Sequence, residues 1–478
     1  MSTRRHVVVV GDCLLDRDVH GHVDRVCPDA PAPVVDVDTI SARPGGAGLT
    51  ALLATRDGVD VTLVAPLADD DGGRELLDLL VGAGVRVLPL AHEGATRVKT
   101  RIRAGGQSIA RIDTGGPGTP LDGLTPDAAS AIADADVVLV SCYGGGTTAD
   151  PVIRGALAVR ARRRPVVWDP HPRGAEPVRG SALVTPNLTE ARTRARLQDA
   201  DGDVVAKELL RRWDVRAVAV TGGHRGAWVA TRVSEPIFAP ATPASGDTCG
   251  AGDRFSAAAA AALAHGRTTS EAVVDAVARA GEFVLNGGAS GIRPARDATS
   301  ARAMTAMAAP RGSERAAQPT AAASPWSVVG AAVRDLRRRG GVVVATGGCF
   351  DVLHAGHVST LEAARSLGDG LVVLLNSDTS VRRLKGPSRP VHSQDDRARV
   401  LLGLTCVDSV LVFDDDDPRE ALRRIQPDVW AKGGDYEDAD LLEAPLVRSW
   451  GGRVVLLPYL SGRSTTTVLQ PTPTGENQ

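Results

Sequence analysis

Short β-branched runs alternate with helical patterns twice along this chain, and that alternation confines it to α/β architectures built on mainly parallel sheets. In the first stretch, which reaches about residue 300, the runs 7–10, 61–64, 137–140, 166–168 and 217–221 are separated by Ala-, Leu- and Arg-rich segments such as 73–82. In the second, a helix-like 326–339 leads into the runs 342–345, 371–375, 410–413, 429–431 and 454–457. Between them lies a stretch, 301–325, of Ala, Pro, Ser, Thr, Gln and Arg with almost no large apolar residue. Such a composition cannot bury enough surface to fold alone. The 478 residues therefore read as a first α/β domain over 1–305, a flexible linker over 306–325, a smaller α/β domain with a parallel sheet over 326–470, and a disordered polar tail over 471–478.

Lys+Arg 55 against Asp+Glu 57 leaves no basic field to hold nucleic acid or an anionic membrane. No apolar run reaches the ~18 residues of a membrane span, and no signal-peptide core precedes residue 7. The expected partners are small molecules, the expected compartment is the cytoplasm, and a homo-oligomer, a dimer, is the expected assembly. Six scattered cysteines without a CxxC pair suggest neither zinc nor a disulfide framework. Four lysines, Lys99, Lys207, Lys385 and Lys432, stand against 51 arginines. In so arginine-biased a chain a retained lysine can mark a site needing a compact ammonium, as phosphate sites do. Lys207 reads instead as part of a solvated helix face over 204–213, and the charge runs 334–339 and 414–417 read as helix-end charges.

The string Asp247-Thr248-Cys249-Gly250-Ala251-Gly252-Asp253 stands before an Ala-rich helical pattern. A glycine-rich turn opening a helix presents unpaired N–H groups at the positive end of the dipole, which suits a transferring phosphoryl group. Asp253 is then placed to accept the proton of an attacking hydroxyl. The string resembles the signature of the ribokinase (PfkB) family of sugar kinases. That resemblance implies a ribokinase-like fold, Asp253 as catalytic base, and Gly250, Ala251 and Gly252 as the anion site. Asn187-Leu188-Thr189-Glu190 is similar to the family's NxxE element, which implies that these four residues help place ATP and Mg2+, with Glu190 as the metal residue. Thr221 to Gly226 resembles its nucleotide loop, and a hairpin turn is the alternative. Asp12, Asp16, Gly45 and Gly46 match its sugar-binding positions.

The likeness narrows to the heptose 7-phosphate kinases through residues 11–17, 43–47, Lys99, Arg101, Arg111 and Asp113, and it implies that Lys99 and Arg101 serve a sugar already carrying a phosphate. Leu49 stands where that family has asparagine. The segment 141–146, Ser-Cys-Tyr-Gly-Gly-Gly, lacks the acidic and basic side chains expected there. The sugar therefore stays open: another phosphorylated sugar or polyol, or a kinase-like domain that only binds sugar, are the alternatives.

In the second domain Phe350-Asp351, then His354-Ala355-Gly356-His357, lie between a strand-like run and a helix-like 358–367. Two imidazoles at a helix mouth can hydrogen-bond phosphate oxygens as charge builds on departing pyrophosphate. This HxGH arrangement resembles the cytidylyltransferase-like nucleotidyltransferases, and it implies a Rossmann-like domain with His354 and His357 as catalytic residues. Phe350, Asp351, Gly356, Asn376, Asp378, Lys385, Lys432, Gly434, Asp435, Ser464, Thr465 and Thr466 match the ATP-binding positions of the adenylyltransferase that acts on heptose 1-phosphate. Gly347 replaces that family's asparagine. The order of the two halves is similar to that of bifunctional heptose 7-phosphate kinase/heptose 1-phosphate adenylyltransferases, enzymes of ADP-heptose biosynthesis that use ATP as substrate in both reactions and Mg2+ as cofactor.

Overall fold

The computed structural model describes residues 4–30, 32–105, 107–116, 119–120, 123–242, 244–292, 325–433 and 441–457. The proposed linker up to residue 324, the boundary at 305, the tail, and the predicted ligands Gly434, Asp435 and Ser464 to Thr466 lie outside these residues. The chain divides into two compact units, residues 1–233 with 239–297, and residues 298–478 with 234–238.

In the first unit the main sheet runs in the order Arg86–Leu90, Asp60–Pro66, His6–Gly11, Val137–Ser141, Val166–Asp169, Leu183–Val184, Ala217–Thr221, Gly226–Thr231. All neighbours are parallel except the last pair, a hairpin. The valine runs read as continuous apolar strands because both faces of such a sheet are covered. Trp168, Val138 and Val140 pack against Ile132, Leu157 and Leu209 with almost no exposure. Chain order reverses between His6–Gly11 and Val137–Ser141, so the crevice at their carboxyl ends is the place for a ligand.

A second sheet of four strands, Pro33–Gly46, Cys13–Val26, Val98–Ala104 and Gln107–Thr114, was not anticipated from the sequence. Its strands are rich in Asp, Arg, Ser and Thr and largely exposed toward their ends, so they lack the apolar runs that mark the main sheet.

The second unit has one parallel sheet in the order Ser409–Phe413, Gly370–Asn376, Val343–Gly348, Val429–Gly433, Arg453–Leu457. Its reversal point lies between the third and fourth strands of that order. Trp430, Leu374, Leu422 and Val447 form its dry core. Among the described residues no helix is long and apolar enough to cross a membrane.

Candidate active sites

In the first unit Gly250 adopts φ +80° and caps the helix Ala251–Ala264, a conformation that glycine reaches without steric cost. The helix therefore begins four residues before the apolar run at 255, and Asp253 falls in its first turn. The Ala251 N–H turns back to the Thr248 carbonyl at 3.1 Å, so of the three expected anion-site residues it is already engaged within the turn. A Cβ at Gly252 would meet nothing within 4 Å, which marks open space there. Arg254 pins this turn from behind through two bonds to Asp57, at 2.5 and 2.7 Å.

Asp253 is 6% exposed. Its Oδ1 accepts from Thr50 Oγ1 at 2.7 Å, and both oxygens accept from the Tyr143 hydroxyl at 2.8 Å. Burial pushes its carboxyl up to about 6, with the Thr50 and Tyr143 hydrogen bonds opposing. Asp169, at the end of its strand, is held well above the usual carboxylate range by burial and by the charge of Asp253, although Thr185 Oγ1 donates to it at 2.9 Å. Sequence reading missed Thr50, Tyr143 and Asp169. Only their position in the fold gives them a role, since each stands in an ordinary apolar or turn segment.

Asp12 follows the central strand and faces the reversal point. Its carboxylate accepts from the backbone N–H of Tyr143, Gly145 and Thr147 at 3.1, 2.8 and 3.1 Å. It thus anchors the Gly-rich loop. Asp16 and Arg101, both expected to hold sugar, bond each other at 2.7 Å, and Gly45 leaves the room Asp16 needs, since a Cβ there would lie 2.6 Å from Asp16 Oδ2. A Cβ at Gly46 would meet the Asp12 carbonyl at 2.4 Å. A cavity of about 340 Å³ is edged by Asp12, Lys99, Arg97, Arg111, Arg173 and Tyr143. Arg97 and Arg111 share Asp113. Lys99 and Arg173 have no carboxylate partner among the described residues, and burial lowers the Lys99 pKa. The cavity is therefore an anion-accepting one. Cys142 is 3% exposed and packs on Gly174, so the expected acidic position is part of the core. Leu49 is buried against Gly250.

Beside it, a cavity of about 580 Å³ is edged by Asn187, Leu188, Thr189, Glu190, Thr221 and Gly223. The two motifs predicted to share a nucleotide thus meet. Asn187 and Glu190 form a capping box, with bonds of 3.0 and 3.1 Å, worth about 1 kcal/mol to the helix. Burial raises the Glu190 carboxyl. Gly226 closes the hairpin, its carbonyl accepting the Gly222 N–H at 2.7 Å, and does not line the cavity. The hairpin reading and the nucleotide-loop reading describe the same turn.

In the second unit the helix Ala355–Arg365 begins earlier than the sequence pattern indicates, because His354 takes an extended conformation as its N-cap. His357 therefore lies within the first turn. The two imidazoles stack at 4.0 Å, and Phe350, at φ +43°, lies 5.4 Å from His357. Both ring nitrogens of His354 and Nδ1 of His357 are buried without a partner, which is costly unless a ligand pairs with them. Burial, then the charges of His354 and Lys385, lower the His357 pKa to about 4, so a ligand here would meet a neutral imidazole with one N–H to donate, not a cation. Lys385 ends the helix Asp378–Lys385 and is not bonded to a carboxylate among the described residues.

Several expected nucleotide ligands serve as framework. Asp351 accepts from Arg389 Nη1 and the Val391 N–H, both at 2.5 Å. Asn376 Nδ2 donates to Ser380 Oγ at 3.0 Å. Asp378 accepts from Arg397 at 2.7 Å. Arg397, missed in the sequence, is 2% exposed and also donates to the carbonyls of Cys349, Asn376 and His392, tying three loops together. Gly356 lies in the first helical turn, where its carbonyl accepts from Thr360 Oγ1. Lys432 is paired with Glu443 at 2.8 Å, which blunts its charge. Gly347 is explained by packing, since a Cβ there would lie 2.8 Å from the buried Trp430 ring.

Among the described residues no three His, Cys, Asp or Glu side chains gather to hold a metal. Mg2+ needs only one or two carboxylates, because phosphates and water complete its shell, and Glu190 offers a hard oxygen at the cavity edged by 187–190.

Comparison with known proteins gives a match to the pfkB family carbohydrate kinases over residues 4–296 and to the cytidylyltransferase-like family over 345–456. The bifunctional protein HldE of Streptomyces coelicolor is 48% identical over 475 residues, covering 98% of this chain and 96% of its own length. That of Gluconobacter oxydans is 37% identical, covering 97% of each. A ribokinase structure from Arabidopsis thaliana, complexed with ribose and ATP, covers 61% of this chain and 96% of its own at 21% identity and a TM-score of 0.49.

Proposed function

Because the chain belongs to the pfkB carbohydrate kinases and, over nearly its whole length, to the bifunctional HldE proteins, we propose that it carries out two ATP-dependent steps of ADP-heptose biosynthesis. The first unit transfers the γ-phosphoryl group of ATP to the C1 hydroxyl of heptose 7-phosphate. Asp253 takes the hydroxyl proton, and the N–H groups of Gly250 and Gly252 meet the charge on the transferring group. Lys99 and Arg173 hold the phosphate already on the sugar. The nucleotide lies along Asn187 to Glu190 and Thr221. Glu190 would hold Mg2+, which would supply neutralisation of phosphate charge.

A phosphatase reaction must then remove the 7-phosphate. In the second unit an oxygen of the resulting sugar 1-phosphate attacks the α-phosphorus of ATP, the bond to pyrophosphate breaks, and ADP-heptose forms. His354 and His357 donate N–H bonds to the phosphate oxygens as charge moves onto pyrophosphate, and Lys385 adds a positive charge. No covalent intermediate is needed. A homodimer working in the cytoplasm completes this reading.

The observation that carries it is the buried Asp253 in the first turn of a glycine-opened helix, beside a cation-edged cavity. Leu49 and Cys142 keep a second sugar in view, because the apolar Leu49 side chain packs where the family has an amide. Purified protein given ATP and a panel of sugar phosphates, with ADP resolved from pyrophosphate, tests both. Heptose 7-phosphate should give ADP and heptose 1-phosphate should give pyrophosphate. Turnover of another sugar phosphate in preference would transfer the same chemistry to that substrate.

A further inference from the structure

The kinase mechanism leaves Tyr143 unused, yet its hydroxyl donates to both oxygens of Asp253 at 2.8 Å. Asp253 does not line the cavity assigned to the sugar, whereas Tyr143 does. The phenol therefore stands between the cavity and the base. It is held there from the backbone, where the Asp12 carboxylate takes the N–H of Tyr143 and of Gly145. Gly144 and Gly146 follow at φ +76° and +110°, conformations that side chains avoid. The phenol is thus the one side chain that this loop, 143–146, can place on the carboxylate. Thr50 Oγ1 also donates to Oδ1, at 2.7 Å.

An acceptor hydroxyl must donate to this same carboxylate before it attacks. We infer that the Tyr143 hydroxyl is a place-holder for the acceptor hydroxyl, occupying Asp253 until the sugar displaces it and so denying the base to water. The inference rests on the kinase reading and deepens it into a statement about specificity against water. A water molecule bonded to Asp253 beside ATP would attack the γ-phosphorus. Its oxygen would bond to phosphorus, the bond to the ADP oxygen would break, its proton would pass to Asp253, and ATP would be lost as ADP and phosphate. Asp253 cannot distinguish the two hydroxyl donors by chemistry alone, so the discrimination must come from what occupies the carboxylate.

The test is ADP release by the full-length protein with ATP and Mg2+ and no sugar. Tyr143→Phe keeps the ring and removes the donor, and it should raise sugar-free ADP release at least about tenfold, a change of ~1.4 kcal/mol in barrier. Tyr143→Ala, which opens the cavity to the base, should raise it as well. Adding Asp253→Asn to either variant should return release to the parent level. Sugar-free release at the parent level in both single variants, with unchanged thermal unfolding midpoints, overturns the inference, as does an excess that survives Asp253→Asn. Failure of the kinase reading looks different: sugar-dependent ADP formation would then be indifferent to Asp253→Asn.

Discussion

Burial lifts the Asp253 carboxyl to about 6 while Thr50 and Tyr143 pull it back, which leaves it mostly ionised at pH 7 and basic enough to take a proton. The base works only when ionised. Sugar-dependent kcat/KM should therefore be flat above neutrality and fall as pH drops through about 6, read from a pH–rate profile of ADP formation. Asp253→Asn keeps the shape but cannot take the proton, and should lower that rate by roughly two to four orders of magnitude. His357 differs in sign. Its pKa is lowered to about 4, so the neutral imidazole persists through the same range and pyrophosphate release should show no limb from this group near pH 6. His357→Ala should cut kcat for adenylyl transfer by roughly two orders of magnitude with little change in the KM for ATP, because a donor to developing charge acts mainly in the transition state. Steady-state kinetics at saturating heptose 1-phosphate decide it, and an undiminished kcat would reduce the pair to a helix-capping turn.

Among elements, the loops at the carboxyl ends of the second unit's sheet depend on Arg397, whose guanidinium reaches three carbonyls and Asp378 from a buried position. Replacing it with methionine leaves those acceptors unpaired and should destabilise the second unit by about 3 kcal/mol, seen in calorimetry as a lower midpoint for one transition and an unchanged one for the other. No sequence pattern announces Arg397, which is one arginine among 51. What was legible follows from local chemistry. The valine runs mark strands because both sheet faces are covered, and the glycine at 250 marks a helix opening because few other residues tolerate its φ of +80°. What was not legible depends on direction. Asp351, Asn376 and Asp378 have the residue types of ligands, but their side chains turn inward to brace loops. Thr50 and Tyr143 reach Asp253 across 203 and 110 residues of chain, a separation that only the folded sheet closes.

At the scale of the whole molecule, each unit has its own dry core and its own set of motifs, so the two chemistries should separate. Residues 1–305 and 326–478, made as separate proteins, should form ADP and pyrophosphate respectively, and an inactive or insoluble half would count against independent folding. In the intact chain, Asp253→Asn should leave pyrophosphate release near its parent value. The scarcity of lysine has a further consequence, in the laboratory. Acylating reagents attack neutral amines, and this chain offers only four ε-amines. Burial lowers the pKa of Lys99, so at neutral pH more of it is in the reactive form than of a solvated lysine. An amine-directed ester should therefore label Lys99 beside the α-amino group, whose ordinary pKa of about 8 also leaves part of it neutral, and under the proposed function a bound sugar phosphate should shield Lys99, so that peptide mapping of that one position becomes an occupancy gauge that needs no turnover at all.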